Sequence, residues 1–287
     1  MIEKLILGDN PFFGINHRSG DKAKEYSKIK SDFSVAANVV VEAAKSDITG
    51  LMVSTHAELP QMLDVVTRRL EEESYPKPKL SLVVPYAHKL NSVVADKGIL
   101  GLLTLIRPHK LVLSGIQDLF AFVFKRRLFP NNMFREFIFS ELELVDGYEV
   151  NYICFQNVVT DMILGIDKSN VFRDITSSLQ QTNHTPVFIT MNPIELDRLL
   201  PEGVPICFHY NLNGFMVQPD LESVQEFIRT TDRPLWAMGI MASGAVELNR
   251  AISDPHLKYF EKILYATSKP ERLSELTNTI SHLENKS

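Results

Sequence analysis

The sequence has little cysteine, with only Cys154 and Cys207 among 287 residues. The two share no CxxC spacing and no nearby ligand cluster, so we expect reduced core thiols in a cytoplasmic protein. The N-terminal segment contains Glu3 and too short an apolar run for a secretory signal peptide. The most apolar stretch, 98–124, is interrupted by charged residues between Arg107 and Lys110, which argues against a membrane span.

The sequence also lacks a strongly charged tail and a linker rich in glycine and serine. Thirty basic and 35 acidic residues give a net charge of −5, spread along the chain. This distribution argues against nucleic acid and membranes as partners. Apolar residues make up 45% of the chain, enough for one large core. We therefore predict a single domain over residues 1–287.

Short apolar runs rich in Val, Ile and Leu recur along the chain, and helical patterns follow them. Because both faces of these runs are apolar, they are typical of parallel strands covered by helices. Eight such units in one domain predict an α/β fold, a (β/α)8 TIM barrel. The predicted strands are residues 4–10, 50–55, 79–86, 150–157, 186–192, 205–211, 234–240 and 262–268.

The connection between the third and fourth strands is unusually long. We interpret residues 92–146 as a helical insertion of two or three helices, with 110–116 (KLVLSGI) as an alternative ninth strand. Long insertions of this kind are often functional. The insertion is expected to elaborate the barrel wall, to act as a lid, or to form a homo-oligomer contact through residues 99–146.

Polar side chains follow most of the predicted strands, where active sites of this fold lie. Histidine suits proton transfer, and a strand-end aspartate can orient a substrate. No HxH motif marks a metal site and no strand-end Asp or Glu appears late in the barrel, so we predict no metal. No lysine is placed on a strand where it could form a Schiff base. The candidate catalytic residues are Asp9, His56, Tyr86 and His209, and the candidate substrate-binding residues are His17, Gln156, Asn157, Asn192 and Tyr210.

The loops after the seventh and eighth strands, MASGAVEL and ATSKPERL, combine small residues with predicted helix starts. Helix N-termini present unpaired N–H groups, and these two loops often bind phosphate in barrels. Ordinary helix capping by Ser268 and Pro270 is the alternative. The predicted binding positions for a phosphate-bearing ligand or cofactor are Ser243, Gly244, Ser268, Lys269, Arg272 and Glu275.

Several segments, in order, resemble the aldo-keto reductases, which are barrels that use a nicotinamide dinucleotide. The matching segments cover about 150 residues discontinuously: ITGLMVSTHAEL, DGYEVNYICFQN, TPVFITMNPIELDRLL, FHYNLNGFM, AMGIMASGAV and ILYATSKPERLSEL. The resemblance implies an NADP(H) site. It assigns Asn192 to the nicotinamide carboxamide, and Arg272 and Glu275 to dinucleotide contacts. Leu276 replaces the asparagine that the family has next.

The catalytic tetrad of that family is absent from the matching positions. Thr55 stands where the family has its aspartate, and the tyrosine position falls near Pro60. No lysine ends the third strand, Gln156 replaces the histidine of the fourth, and Cys207 replaces a glutamine of the sixth. The resemblance therefore implies a diverged member with a different acid–base set.

Two classes of function follow. The first is an enzyme acting on a small phosphate-bearing or nucleotide-dependent substrate, with NADP(H) or as a non-redox lyase, isomerase or metal-assisted hydrolase. The second is a non-catalytic ligand-binding or docking protein, which the apolar insertion would support.

Overall fold

Eight parallel strands close into one barrel in the order β1 to β8. The computed structural model describes residues 1–13, 33–85, 96, 108–125, 130–166 and 169–284. All eight predicted strands and the barrel are confirmed. The strands are β1 (Leu5–Gly8), β2 (Gly50–Ser54), β3 (Lys79–Val84), β4 (Val150–Phe155), β5 (Thr185–Thr190), β6 (Ile206–His209), β7 (Leu235–Met238) and β8 (Lys262–Tyr265).

Helices connect the strands and cover the barrel, as parallel pairing requires. Among the described residues, the helices are α1 (Ser34–Lys45), α2 (Leu59–Glu72), α3 (Pro108–Lys125), α4 (Asn131–Leu142), α5 (Asn157–Gly165), α6 (Ser169–Gln180), α7 (Pro193–Asp197), α8 (Leu221–Thr230), α9 (Leu248–Ile252) and α10 (Glu271–Glu284). Within this described part, no helix combines the length and the apolar character that crossing a bilayer requires.

Side chains of the strands alternate between two apolar clusters. The larger cluster joins the outward strand residues to the helices. The smaller one fills the barrel, and we assign it to the inward positions; it contains Ile6, Met52, Val83, Cys154, Val187, Ile189, Cys207 and Trp236. This alternation decides which side chains reach the mouth at the C-terminal ends of the strands.

The long connection between β3 and β4 contains α3 and α4, which pack against each other. Helix α4 also contacts β3 and α6 and so forms part of the barrel wall. The alternative of a ninth strand over 110–116 is wrong, because this segment lies within α3. Its apolar residues recur at helical spacing, at Val112, Ile116 and Leu119.

Candidate functional site

The strand alternation places the last residues of β1, β2, β6 and β7 in the inward layer at the C-terminal mouth of the barrel. Ser54, His209 and Met238 lie two residues beyond the inward Met52, Cys207 and Trp236. Gly8 lies likewise two residues beyond Ile6. Successive side chains on one face of a strand are two residues apart. A small residue, a hydroxyl, an imidazole and a thioether therefore surround the base of the mouth.

Asp9 is the most perturbed acid of this region. It directly follows β1, is 4% exposed, and accepts a hydrogen bond of 2.7 Å from the Ser54 backbone N–H to Oδ2. Burial raises the pKa of Asp9 to about 7, against the smaller opposing effect of that hydrogen bond and of its own backbone. At neutral pH this carboxyl can therefore either accept or donate a proton.

The backbone of His56 is linked to Asp9 through Ser54. The His56 N–H donates a hydrogen bond of 2.7 Å to the Ser54 carbonyl, and the Ser54 N–H donates to the Asp9 carboxyl. Its imidazole is buried and stacks on Phe13, with ring centroids 4.0 Å apart and planes inclined by 11°. The stack fixes the plane of the ring. Asp9 and His56 are thus both buried at the C-terminal ends of β1 and β2, and their catalytic roles stay a prediction.

His209 faces the same mouth from β6, which lies across the barrel from β2. Its ring is packed directly against the backbone of Gly239. A Cβ added at Gly239 would lie 2.6 Å from His209 Nδ1, and the φ of Gly239 is +68°. Glycine is therefore required there for two reasons, the left-handed backbone and the imidazole beside it.

The amide candidates lie at the starts of helices on the C-terminal side of β4 and β5. Gln156 directly precedes α5, of which Asn157 is the first residue, and both are partly exposed. Asn192 caps α7, because its Oδ1 accepts a hydrogen bond of 3.2 Å from the Glu195 N–H. Its side-chain carbonyl is thereby committed to helix capping.

One polar group at the end of β5 was not singled out from the sequence. Asp161 of α5 accepts hydrogen bonds from Thr190 Oγ1 at 2.5 Å and from the Met191 N–H at 3.2 Å. Burial raises the pKa of Asp161, and these two hydrogen bonds oppose the shift. The carboxyl fastens α5 to the end of β5. An aspartate inside an amphipathic helix carries no sequence signal for such a role.

Tyr210 does not face the mouth. It is 1% exposed, and its hydroxyl donates to Asp254 Oδ2 at 2.7 Å in the outer wall. The other carboxylate oxygen of Asp254 lies 2.9 Å from His256 Nδ1. Tyr210 follows the inward His209, so its side chain points the opposite way. Its assignment to substrate binding is corrected on this ground.

The loop after β7 differs from the predicted helix start. Ala242 and Ser243 both have left-handed backbones, with φ of 46° and 56°, within a short 3-10 turn that ends at Gly244. Helix α9 begins only at Leu248 and has five residues. Ser243 and Gly244 are exposed but belong to the turn rather than to a helix N-terminus.

The loop after β8 leads into a longer helix, the 14-residue α10. Thr267, not Ser268, makes the local side-chain contact, accepting the Lys269 N–H at 3.0 Å. Lys269 and Arg272 are exposed at this helix start, and Arg272 pairs with Glu275 at 3.4 Å. Glu275 also lines an open groove of about 450 Å³ between α9 and α10.

Two candidates, His17 and Tyr86, lie outside the described residues. Among the side chains that the structure does describe, no three histidine, cysteine, aspartate or glutamate residues come together in a way that could hold a metal ion.

Known structures with the same architecture include a Pseudomonas aeruginosa protein assigned to the aldo-keto reductases. It shares 12% identity with this chain at a TM-score of 0.55, with 97% of this chain and 89% of that chain covered. A second structure from the same organism, also assigned to the aldo-keto reductases, shares 13% identity with this chain at a TM-score of 0.54. The match covers 97% of this chain and 89% of that chain. The chain shares the barrel fold of these two structures.

A glycerol dehydrogenase from Gluconobacter oxydans has the same fold at 10% identity and a TM-score of 0.53, covering 96% of this chain and 86% of its own. No protein-family model and no curated protein sequence matches the chain. At these identities the likeness extends to the fold, and the chemistry has to be argued from this chain's own side chains.

Thr55, which the sequence resemblance aligns with the family's aspartate, directly follows β2. Thr55 is 1% exposed, and its Oγ1 has no hydrogen-bond partner among the described residues. A buried hydroxyl without a partner is costly, which is tolerated most readily where a ligand or water completes the site. Asp9, Thr55 and His56 are thus three buried polar side chains at the C-terminal ends of β1 and β2.

Proposed function

We propose that this protein is a diverged aldo-keto-reductase-like enzyme that acts on a small phosphate-bearing or nucleotide-dependent substrate with a non-standard acid–base set. The observation that carries the proposal is the buried Asp9 carboxyl at the end of β1, with a pKa of about 7. Strongly perturbed acids within a cleft cluster at functional sites. A purely structural carboxylate is usually paired with a cation, which lowers its pKa. For Asp9, burial is the largest cause of the shift, and it raises the pKa.

In the proposed reaction, Asp9 and His56 share the acid–base work. The Ser54 N–H favours the ionised form of Asp9 and burial favours the protonated form, so the carboxyl can cycle between them near neutral pH. His56, held flat by Phe13, can take up or release the second proton. His209, on the opposite side of the mouth, orients the substrate or takes the place of His56 as the acid.

The phosphate part of the ligand is proposed to bind where α10 begins. Exposed Lys269 and Arg272 provide two cations there, beside the positive end of a 14-residue helix. The left-handed turn at Ser243 and Gly244 is the proposed opposite wall. A carboxylate also lies in this region, at Glu275, which suits ribose hydroxyls or an amine better than a second phosphate.

NADP(H) fits this set of residues. Lys269 and Arg272 would hold its phosphates, and the groove of about 450 Å³ beside Glu275 has room for a further part of the molecule. NADP(H) would supply a hydride donor or acceptor at the mouth. The alternative is a non-redox reaction, a lyase or an isomerase on the same phosphate site, which the acid–base pair alone would support.

Calorimetric titration of the purified protein with NADPH, NADP⁺ and inorganic phosphate tests the proposal. We expect binding of at least one of them to weaken about tenfold in Arg272→Ala, the effect of losing one charge-assisted contact of about 1.4 kcal/mol. Arg229→Ala is the control, since Arg229 also pairs with an i,i+3 glutamate on an exposed helix surface. Absence of NADPH and NADP⁺ binding at millimolar concentration would exclude a redox reaction with this cofactor. The titration with inorganic phosphate then decides whether the phosphate site exists.

The acid–base part has its own test. A panel of phosphorylated aldehydes, ketones and hydroxy compounds is assayed with and without NADPH for wild-type, Asp9→Asn and His56→Ala. Turnover that survives both substitutions undiminished would rule out these residues as the acid–base set.

A further inference from the structure

The interior of the barrel holds four hydrogen-bond donors toward the N-terminal ends of the strands, opposite the mouth. Ser81 of β3 is the register partner of Tyr152 of β4, and Trp236 of β7 is the register partner of Lys262 of β8. Trp236 belongs to the inward apolar cluster, and Tyr152 packs against it. Because paired residues of neighbouring strands point to the same face of a sheet, all four side chains point into the barrel. We call these four residues the donor cluster.

Two aromatic rings join the donor cluster across the barrel. The ring centroids of Tyr152 and Trp236 are 4.8 Å apart, with planes inclined by 76°. Ser81 lies beside the first of these residues and Lys262 beside the second, so the four residues form one continuous group. Tyr152 and Lys262 are partly exposed, whereas Cys154, the next inward residue of β4, is fully buried. Solvent therefore reaches the donor cluster from the N-terminal end of the barrel.

Two donors of the cluster have no acceptor. Trp236 is 0% exposed, and its Nε1–H has no hydrogen-bond partner among the residues that the structure describes. Within the same part of the chain, the Lys262 ammonium makes no hydrogen bond or ion pair. Burial, and less strongly the charge of Glu261, raises the pKa of Tyr152, so its hydroxyl stays protonated and can donate as well. Buried donors without an acceptor are costly, and water or a ligand usually completes them.

The charges at this end of the barrel favour an anion as the ligand. The first residue of each strand and the residue before it together include the cations Lys4, Lys79 and Lys262 and the carboxylates Glu149 and Glu261. Glu149 pairs with Lys79 at 3.1 Å, and Glu261 is exposed and starts on the opposite side of the chain from the following Lys262. Among the inward residues of the eight strands, all of which are described, none is acidic. A cation would therefore find no carboxylate inside the barrel.

We propose that the donor cluster binds a small oxyanion, either a carboxylate or an inorganic ion such as phosphate or sulfate. The Lys262 ammonium supplies a charge-assisted hydrogen bond, and the Tyr152 and Ser81 hydroxyls supply neutral ones. Trp236 forms the inner wall, so a bound ion changes the surroundings of its N–H. Because the ligand is small and its contacts are few, we expect a dissociation constant of about 1 mM. The site lies at the opposite end of the barrel from Asp9 and does not rest on the proposed function.

Trp236 reports on this site directly, because it is the one tryptophan of the chain and gives a single indole N–H resonance. The isotope-labelled full chain is titrated with sodium phosphate, sulfate and acetate, with sodium chloride holding the ionic strength constant. We expect a saturable shift of that resonance with at least one of the three ions.

Two substitutions in the donor cluster should weaken this binding. Lys262→Met is expected to raise the dissociation constant about tenfold and Tyr152→Phe several-fold, because each removes one donor. Lys258→Met is the matched control, since Lys258 is exposed four residues earlier, in the turn Pro255–Tyr259. No saturable shift with any of the three ions, or the same affinity in Lys262→Met as in wild-type, overturns the proposal.

The same titration separates this site from the phosphate site proposed at the start of α10. An indole shift that is lost in Lys262→Met supports the donor cluster, even when calorimetry detects no nucleotide. A shift that is lost in Arg272→Ala and kept in Lys262→Met assigns the ion to α10 and overturns the donor cluster. If Lys262→Met does not fold, Tyr152→Phe decides, because it removes the hydroxyl and keeps the ring that contacts Trp236. An affinity that is unchanged in Tyr152→Phe then overturns the proposal.

Discussion

The Asp9 carboxylate accepts a hydrogen bond of 2.7 Å from the Ser54 backbone N–H and is otherwise enclosed by the ends of β1 and β2. Burial raises its pKa from 3.8 to about 7. In the unfolded chain Asp9 ionises near pH 4. Between pH 4 and pH 7 the unfolded state therefore loses this proton while the folded state keeps it.

Asp9 thus makes the folded state less stable as pH rises through that window, by up to about 4 kcal/mol for a shift of about three pKa units. The cost is complete above pH 7. Asp9→Asn removes this cost. The unfolding free energy of the variant minus that of wild-type should therefore increase from pH 5 to pH 8. Urea denaturation at the two pH values measures this change.

Asp220→Asn is the control for that experiment. Asp220 is exposed, and hydrogen bonds from Ser223 lower its pKa, so it stays ionised across the window. Its substitution should cost similar stability at both pH values. If Asp9→Asn followed the same pattern, the carboxyl would not be the group that titrates near neutrality.

Gly239→Ala is expected to displace the His209 ring. The added methyl group would lie 2.6 Å from Nδ1, and the left-handed backbone adds a cost of about 1–2 kcal/mol. Gly203→Ala is a matched control, because Gly203 has a φ of +71° and open space around the added Cβ. Thermal unfolding should show the larger loss for Gly239→Ala, together with shifted imidazole resonances of His209.

A double variant separates the two causes. In a His209→Ala background, Gly239→Ala should cost no more than Gly203→Ala does in wild-type. A cost that is independent of His209 would mean that the backbone conformation alone requires glycine.

Asp118→Ala is expected to loosen the contact between α3 and α4. The carboxylate accepts hydrogen bonds from the backbone N–H groups of Asn132 at 3.0 Å and Met133 at 2.9 Å, and thereby caps α4 from another helix. Loss of a helix N-cap costs about 1 kcal/mol. Hydrogen exchange should show faster exchange at the start of α4, whereas Asp146→Ala, whose carboxylate contacts only the neighbouring Gly147 N–H among the described hydrogen bonds, should leave α4 unchanged. Protection of α4 that is unaffected by Asp118→Ala would contradict this role.

The strands were predictable from the sequence because a closed parallel sheet buries both faces of each strand. The resulting apolar runs stand out, and each ends at the same side of the barrel. Asp9 and His56 follow two of these runs, and their place in an active site stays a prediction. Because these runs are apolar without interruption, the sequence does not show which side chains point into the barrel. His209 and Tyr210 are neighbours at the end of one such run, and only the register of β6 shows that the first points inward and the second toward Asp254.

Two further features depend on contacts that composition does not record. The turn after β7 has left-handed backbones at Ala242 and Ser243, residues with no intrinsic preference for that conformation. The small residues of this loop therefore predict a helix start where the structure has a turn. The pKa of Asp9 depends on its enclosure and on a backbone N–H from β2. Neither is visible before the strands are paired.

Tyr210→Phe tests whether the Tyr210 hydroxyl has a structural role in the wall. The substitution removes the donor to Asp254 Oδ2 and leaves a buried carboxylate with one partner fewer, which costs about 1–3 kcal/mol. Tyr259→Phe is the control, since Tyr259 is exposed and should lose less than about 0.5 kcal/mol. Because Tyr210 faces the helices, its substitution should lower the thermal midpoint without weakening the binding of NADPH or phosphate. A variant with wild-type stability and weakened ligand binding would instead indicate that Tyr210 contacts the ligand.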